Sequence, residues 1–66
     1  MTAGLHFVTG SALQGDAALA ALLRAGIEAS GIEASGPTYY LHAEGDADEI
    51  RKIVARSAPS AEEVSA

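Results

Sequence analysis

The sequence predicts an α+β domain in which two helices cover one face of an antiparallel sheet. Three observations predict it. The chain has 66 residues, which is the size of one small domain. Two of its segments carry apolar residues at helical spacing, and the runs around them are short, rich in strand-forming residues and bounded by glycine or proline. In chain order the elements are strand, helix, strand, strand, helix, with a further strand optional at the end.

The first strand and the first helix follow from local pattern. Residues Gly4–Thr9 contain β-branched and aromatic side chains and are closed by Gly10, as expected of a strand. From Asp16 onward the apolar positions have the spacing i, i+3, i+4, i+8 of an amphipathic helix, and they are Leu19, Leu22, Leu23 and Ile27.

The limits of this helix have more than one interpretation. Ser11 with Gln14 has the form of a capping box, whereas Gly15-Asp16 offers a later start with the aspartate as N-cap. Gly31 is suited to end the helix in the left-handed conformation that glycine adopts easily.

Residues 26–35 contain the five-residue sequence Gly-Ile-Glu-Ala-Ser twice in succession. Five is neither a helical nor a strand period, so we expect the two copies to occupy different environments. The first copy is expected to finish the helix and the second to enter a strand. The turn-forming residues 35–37 then predict a hairpin between Ile32–Ala34 and Thr38–Ala43.

The second helix has clear limits. Asp46 with Glu49 forms a capping box, and Pro59 stops the helix. Its buried stripe is Ile50, Ile53 and Val54, while Arg51, Lys52 and Arg56 are expected to point outward. Residues 60–66 are compatible with an edge strand or a flexible tail, and we favour the strand or a loose end over a third helix.

This element order is that of a ferredoxin-like βαββα(β) unit, and residues 1–66 form a single domain. The core available to it is thin, because alanine supplies much of the hydrophobic fraction and the chain has no cysteine for a disulfide. A homodimer is the simplest way for so small a domain to gain buried area.

Strand alternation predicts which side chains lie on the sheet face that no helix covers. The residues expected to face the helices are Leu5, Phe7, Tyr39, Leu41 and Ala43. The uncovered face should then carry His6, Val8, Thr38, Tyr40 and His42. Three uses of this face remain open: an interface with a second copy, a pocket for a small ligand, and a divalent-metal site. Two histidines are too few for a tight metal site, which would need Glu44 or a second pair from a dimer partner.

Catalysis and phosphate binding are not expected. Gly10 and Gly15 have the glycine spacing of a phosphate-binding loop, but Asp16 and Ala17 stand where lysine and a hydroxyl residue belong. No nucleophile can be assembled with a base and an orienting acid, since the bases are only His6 and His42. We therefore predict a non-catalytic protein without a resident cofactor, apart from the divalent metal considered above.

The charge of the chain restricts its partners. The formal net charge is −5, from nine acidic and four basic residues. Nucleic acid and anionic membranes are disfavoured, and without an apolar run of membrane-spanning length a cytoplasmic location is expected. The acidic surface Glu44, Asp46, Asp48 and Glu49 suits a basic site on a larger partner.

The segment Tyr39–Lys52, followed by Ala55-Arg56 and residues 59–64, resembles the second half of small dimeric ferredoxin-like bacterial domains, a family that includes a nickel-responsive protein. The resemblance implies the fold and dimerisation. This chain lacks the long second strand and the third-strand cysteine of that family, so no metal ligand is carried over.

Three functions are compatible with these observations. The first is a homodimeric binding module that uses its uncovered sheet face. The second is a small acidic inhibitor or accessory protein that binds a basic site on a larger partner. The third is a metal or small-ligand sensor built on His6 and His42.

Overall fold

A computed structural model describes residues 2–64 of the chain, with the side chain of Thr2 left out. The elements are β1 (Thr2–Thr9), α1 (Ala12–Arg24), β2 (Glu28–Glu33), β3 (Tyr39–Asp46), α2 (Ala47–Ser57) and β4 (Glu62–Val64). The strands form one antiparallel sheet in the order β2-β3-β1-β4. The α+β, ferredoxin-like prediction is therefore confirmed.

The two helices share a hydrophobic core with one face of the sheet. Leu22 of α1 and Ile50 of α2 are the largest side chains that are fully buried. The predicted inward alternation of β1 and β3 is confirmed, since Leu5, Phe7, Tyr39, Leu41 and Ala43 are all buried. Small residues complete this core, namely Ala18, Ala43 and Ala58.

Helix α1 begins at the earlier of its two predicted starts. The Ser11 hydroxyl accepts a hydrogen bond from the Gln14 backbone N–H at 3.2 Å, so Ser11 is the N-cap. Gly15 is instead buried inside the helix. The side chain of Gln14 does not complete a capping box, because its Oε1 accepts from the backbone N–H and the hydroxyl of Ser60, at 3.0 and 2.7 Å.

The end of α1 corrects the sequence prediction. The helix ends at Arg24, and Gly26, with a φ of 80°, occupies the position that was predicted for Gly31. The N–H of Gly26 donates to the Leu23 carbonyl and the N–H of Ile27 donates to the Leu22 carbonyl, both at 3.0 Å. These are the bonds of a Schellman motif, with Ile27 folded back into the core.

Strand β2 is longer than predicted because it takes residues from both copies of the repeat. It covers Glu28–Glu33 instead of Ile32–Ala34, and Gly31 lies in its middle. The hairpin to β3 is closed by the Ala34 N–H, which donates to the Thr38 carbonyl at 2.8 Å. Strand β3 likewise continues three residues beyond Ala43 and leads directly into α2.

The second helix and the final strand follow the prediction closely. Asp46 caps α2 by accepting from the Glu49 N–H at 3.0 Å, and Ala58 and Pro59 follow the last helical residue. Of the two interpretations for residues 60–66, the edge strand is present over Glu62–Val64. Residues 65 and 66 lie outside the described residues.

Candidate binding surface

The open face is the side of the sheet opposite the helices, and cross-strand register arranges its residues in three rows. The first row is Ile32, Tyr40, Val8 and Glu62, taken in the order β2, β3, β1, β4. The second row is Ser30, His42, His6 and Val64. The third row is Glu28, Glu44 and Gly4.

Apolar side chains are concentrated in the first two rows. Ile32 is 67% exposed, Tyr40 50% and Val64 39%, and all three lie on the open face. Together with His6, Ser30 and His42 they border one shallow depression. Large apolar side chains are normally scattered singly over a surface, so their grouping on one sheet face is typical of an interaction site.

The two histidines lie at the centre of this face. His6 is on β1 and His42 on β3, the two inner strands, and they are direct cross-strand partners in the middle row. Their rings are in contact, with centroids 4.5 Å apart and planes inclined by 31°. Both residues are half-buried.

Glu44 and Gly4 flank the nitrogen of His42. The Nε2 of His42 lies 4.0 Å from the Oε1 of Glu44. On the adjacent strand, a Cβ at Gly4 would lie 3.4 Å from the same nitrogen. The absence of a side chain at Gly4 therefore keeps Nε2 accessible.

The open face carries carboxylates and no cation among residues 2–64. Glu28 and Glu44 are direct cross-strand partners, and Glu62 lies at the opposite corner. The four cations of the chain lie on the helices: Arg24 ends α1, and Arg51, Lys52 and Arg56 belong to α2. Like charges placed opposite one another in a sheet are destabilising, so the pair of glutamates favours occupancy by a positive group.

The predicted surface residues are brought together with one exception. His6, Val8, Tyr40 and His42 occupy neighbouring positions in two rows. Thr38 lies one residue before β3, in the hairpin connection, and its carbonyl closes the turn.

Of the predicted acidic surface, Glu44 lies in the third row of the open face, and Asp46 follows it at the end of β3, paired with Thr2. Asp46 is the cap of α2, and Asp48 lies 3.9 Å from Arg51. Glu49 follows in the first turn of the same helix, where a carboxylate is favourable in any case.

Sequence reasoning missed several members of the open face, chiefly Glu28, Ser30 and Ile32 on β2 and Val64 on β4. No local signal separates Ile32 from Ile27, because each follows a glycine of the repeat. A shift of five residues reverses the face of an extended chain, and the structure buries Ile27 and exposes Ile32.

The geometry also limits the chemistry of a single copy. Within the described part of the chain, no three histidine, aspartate or glutamate side chains are grouped so that they could hold a metal ion. In the segment that has only the glycine spacing of a phosphate-binding loop, the Ser11 N–H donates to the Thr9 hydroxyl at 3.2 Å, and Gly15 is buried against Tyr39.

Neither described helix is long and apolar enough to cross a membrane. Comparison with known proteins finds no family model, curated protein or solved structure that matches this chain.

Proposed function

We propose that this protein is a non-catalytic interaction module that associates with a second copy of itself through the open face. The observation that carries the proposal is the grouping of Ile32, Tyr40 and Val64, all substantially exposed, around the half-buried pair His6 and His42. Covering this surface would add apolar burial to a domain whose own core relies on alanine.

Symmetry supports a second copy as the occupant. A two-fold axis parallel to the strands, midway between β1 and β3, would lay β3 of one copy over β1 of the other. Residues at the same height then meet: Tyr40 faces Val8 of the second copy, and Glu44 faces Gly4. The outer strands place Ile32 opposite Glu62 and Ser30 opposite Val64. In this arrangement no carboxylate faces another carboxylate.

The proposal is tested by sedimentation equilibrium of the full chain with a chelator present, from about 1 μM to about 1 mM. We expect a reversible dimer. The variant Ile32→Ser removes an apolar side chain from each copy, so the dissociation constant should rise at least about 100-fold.

Leu13→Ser is the matched control, because Leu13 is 82% exposed but lies on α1, away from the open face. Its dissociation constant should stay close to that of the unaltered chain. A chain that stays folded and monomeric throughout the range, or equal effects of the two variants, would contradict the proposal.

The charge distribution favours a second candidate, an acidic accessory protein that binds a basic site on a larger partner. Glu28 and Glu44 form an uncompensated negative patch at one end of the open face, beside the acidic start of α2. Such binding would use the same surface. It should weaken as salt rises, whereas self-association of two negatively charged faces should strengthen.

A further inference from the structure

We propose that two copies of the chain together bind one divalent transition-metal ion, through His6 and His42 of each copy. This inference rests on the proposed self-association and adds to it a ligand and a site. It concerns the centre of the open face, where one copy supplies two adjacent imidazoles but lacks the remaining ligands.

Within one copy, the two rings are close enough to contribute to one metal site. Their centroids are 4.5 Å apart and their planes are inclined by 31°. A metal bound by two imidazoles at about 2.0–2.1 Å needs one nitrogen of each ring to lie roughly 3 Å from the other. Because His6 and His42 are direct cross-strand partners, rotation of their side chains is the movement that the site requires of them.

A second copy supplies the missing half of the site. With the two-fold axis between β1 and β3, His42 of one copy faces His6 of the other, so four imidazoles meet at the axis. Packed sheets are about 10 Å apart, which brings ring nitrogens from both sides to the plane between them. Four imidazoles match the four-coordinate geometry that zinc prefers, and imidazole also suits copper and nickel.

The surroundings of the pair favour a cation. Glu44 Oε1 lies 4.0 Å from His42 Nε2, and Glu28 is paired with Glu44 on the next strand. Gly4 leaves the other flank of Nε2 open. Among the described residues of the open face there is no lysine or arginine to compete with a metal ion.

The test uses the full chain, zinc as the metal, and two readouts: calorimetric titration for stoichiometry and sedimentation for mass. We expect one zinc per two chains and a dimer that is tighter with zinc than with chelator. Substituting cobalt(II) should give the visible absorption of a tetrahedral nitrogen site.

His6→Ala and His42→Ala should each weaken zinc binding by more than roughly 100-fold, since changes even to outer hydrogen-bonding partners of a metal site cost 10–100-fold. Leu13→Ser is the control, because Leu13 is exposed on α1, away from the open face, and the variant should leave zinc binding unchanged. Zinc binding is measured at concentrations where each variant is dimeric. A weaker affinity for zinc then reports loss of the metal site and not loss of association.

The outcomes distinguish this inference from the proposed function. A chain that dimerises with chelator but binds no zinc overturns the metal site and leaves the interface intact. One zinc per chain, with no change in mass, overturns a site shared between copies. A chain that stays monomeric with chelator and with zinc overturns both. Dimerisation only in the presence of zinc supports the shared metal site and contradicts the metal-independent self-association of the proposed function.

Discussion

At the scale of single residues, Tyr39 determines where two glycines are needed. Its ring lies against Gly15 of α1 and its hydroxyl end against Gly31 of β2, and a Cβ at either glycine would overlap it. Glycine inside a helix is about 1 kcal/mol less favourable than alanine, so α1 gives up helix propensity at Gly15 to make room for a buried ring. Close approach explains both glycines, since neither has a positive φ.

Gly15→Ala and Gly31→Ala should therefore each lower the free energy of unfolding, by about 1–3 kcal/mol, as overpacked cores do. Gly10→Ala is the control, because a Cβ there meets nothing within 4 Å, and it should change stability by less than about 0.5 kcal/mol.

Tyr39→Phe removes the hydroxyl that a Cβ at position 31 would meet first, so it should reduce the destabilisation by Gly31→Ala more than that by Gly15→Ala. Denaturant unfolding of the double variants measures this difference, and equal relief would contradict the assigned contacts.

The pKa of Tyr39 also indicates how the stability of the fold should change at alkaline pH. Burial, and then the nearby carboxylate of Asp16, raise the pKa of the Tyr39 phenol above its ordinary value. A group with a raised pKa in the folded state stabilises the fold below its unfolded pKa, near 10, and this contribution is lost as pH rises through the folded value. Unfolding of the native chain above about pH 10 should therefore show a loss of stability that is smaller in Tyr39→Phe. Identical alkaline slopes for the two proteins would contradict it.

At the scale of elements, helix starts and strand alternation could be predicted from the sequence, whereas the end of α1 inside the repeat could not. The capping residues Ser11 and Asp46 and the alternation of β1 and β3 depend on local chemistry, and they appear where the sequence predicts them. The repeat contains the same helix-ending sequence, Gly-Ile, at positions 26 and 31. Local pattern cannot choose between identical signals. The choice is made by packing, because ending the helix at Gly26 places Ile27 in the core and leaves Gly31 free to lie against Tyr39.

Strand β4 is short, lies at the edge of the sheet, and is linked to α2 by a side-chain ion pair. It has three residues, all exposed, and pairs with β1 only from His6 to Val8. Arg51 of α2 donates two hydrogen bonds to the Glu63 carboxylate, at 2.8 and 3.1 Å. The hydrogen bond and charge of Arg51 lower the pKa of the Glu63 carboxyl. This pair ties the short edge strand to the helical layer.

Glu63→Gln should loosen β4 without unfolding the domain, and amide hydrogen exchange along β4 and the paired part of β1 would measure the change. Glu62→Gln is the control, since Glu62 lies next to Glu63 but points to the open face. Because the pKa of Glu63 is lowered in the folded state, its contribution is present at neutral pH and is lost as pH falls through that lowered value. Equal exchange rates in the two variants would show that backbone pairing alone holds β4.

At the scale of the whole molecule, the fold could be predicted more completely than the surface. The number and order of elements follow from local signals. The membership of the open face depends on which strands become neighbours and in what register. Strand alternation predicts that His6 and His42 share one face, but it does not predict that their rings are in contact. Their position at the centre of the face, next to Ile32 and Val64, required the register of β2 and β4.

The separation of charge over the molecule should make the proposed self-association sensitive to salt. Each copy has a formal net charge of −5, and its open face contributes Glu28, Glu44 and Glu62 without a cation among the described residues. Two such faces repel one another at long range even where no carboxylates are in contact. Raising NaCl from about 0.01 M to about 1 M shortens the screening length from about 30 Å to about 3 Å, so the dimer should become tighter.

The origin of that repulsion is tested by two triple variants that remove the same charge. Neutralising the three glutamates of the open face, as Glu28→Gln, Glu44→Gln and Glu62→Gln, should tighten the dimer at low salt and flatten its salt dependence. The charge-matched control Glu33→Gln, Asp48→Asn and Glu49→Gln acts away from the open face and should flatten it less. Sedimentation at each salt concentration measures both slopes. Equal slopes would mean that the open faces do not meet. Binding to a basic partner should respond to salt in the opposite way, because screening weakens the attraction between opposite charges. An association with such a partner that weakens as salt rises would instead identify the acidic end of this face as the binding surface.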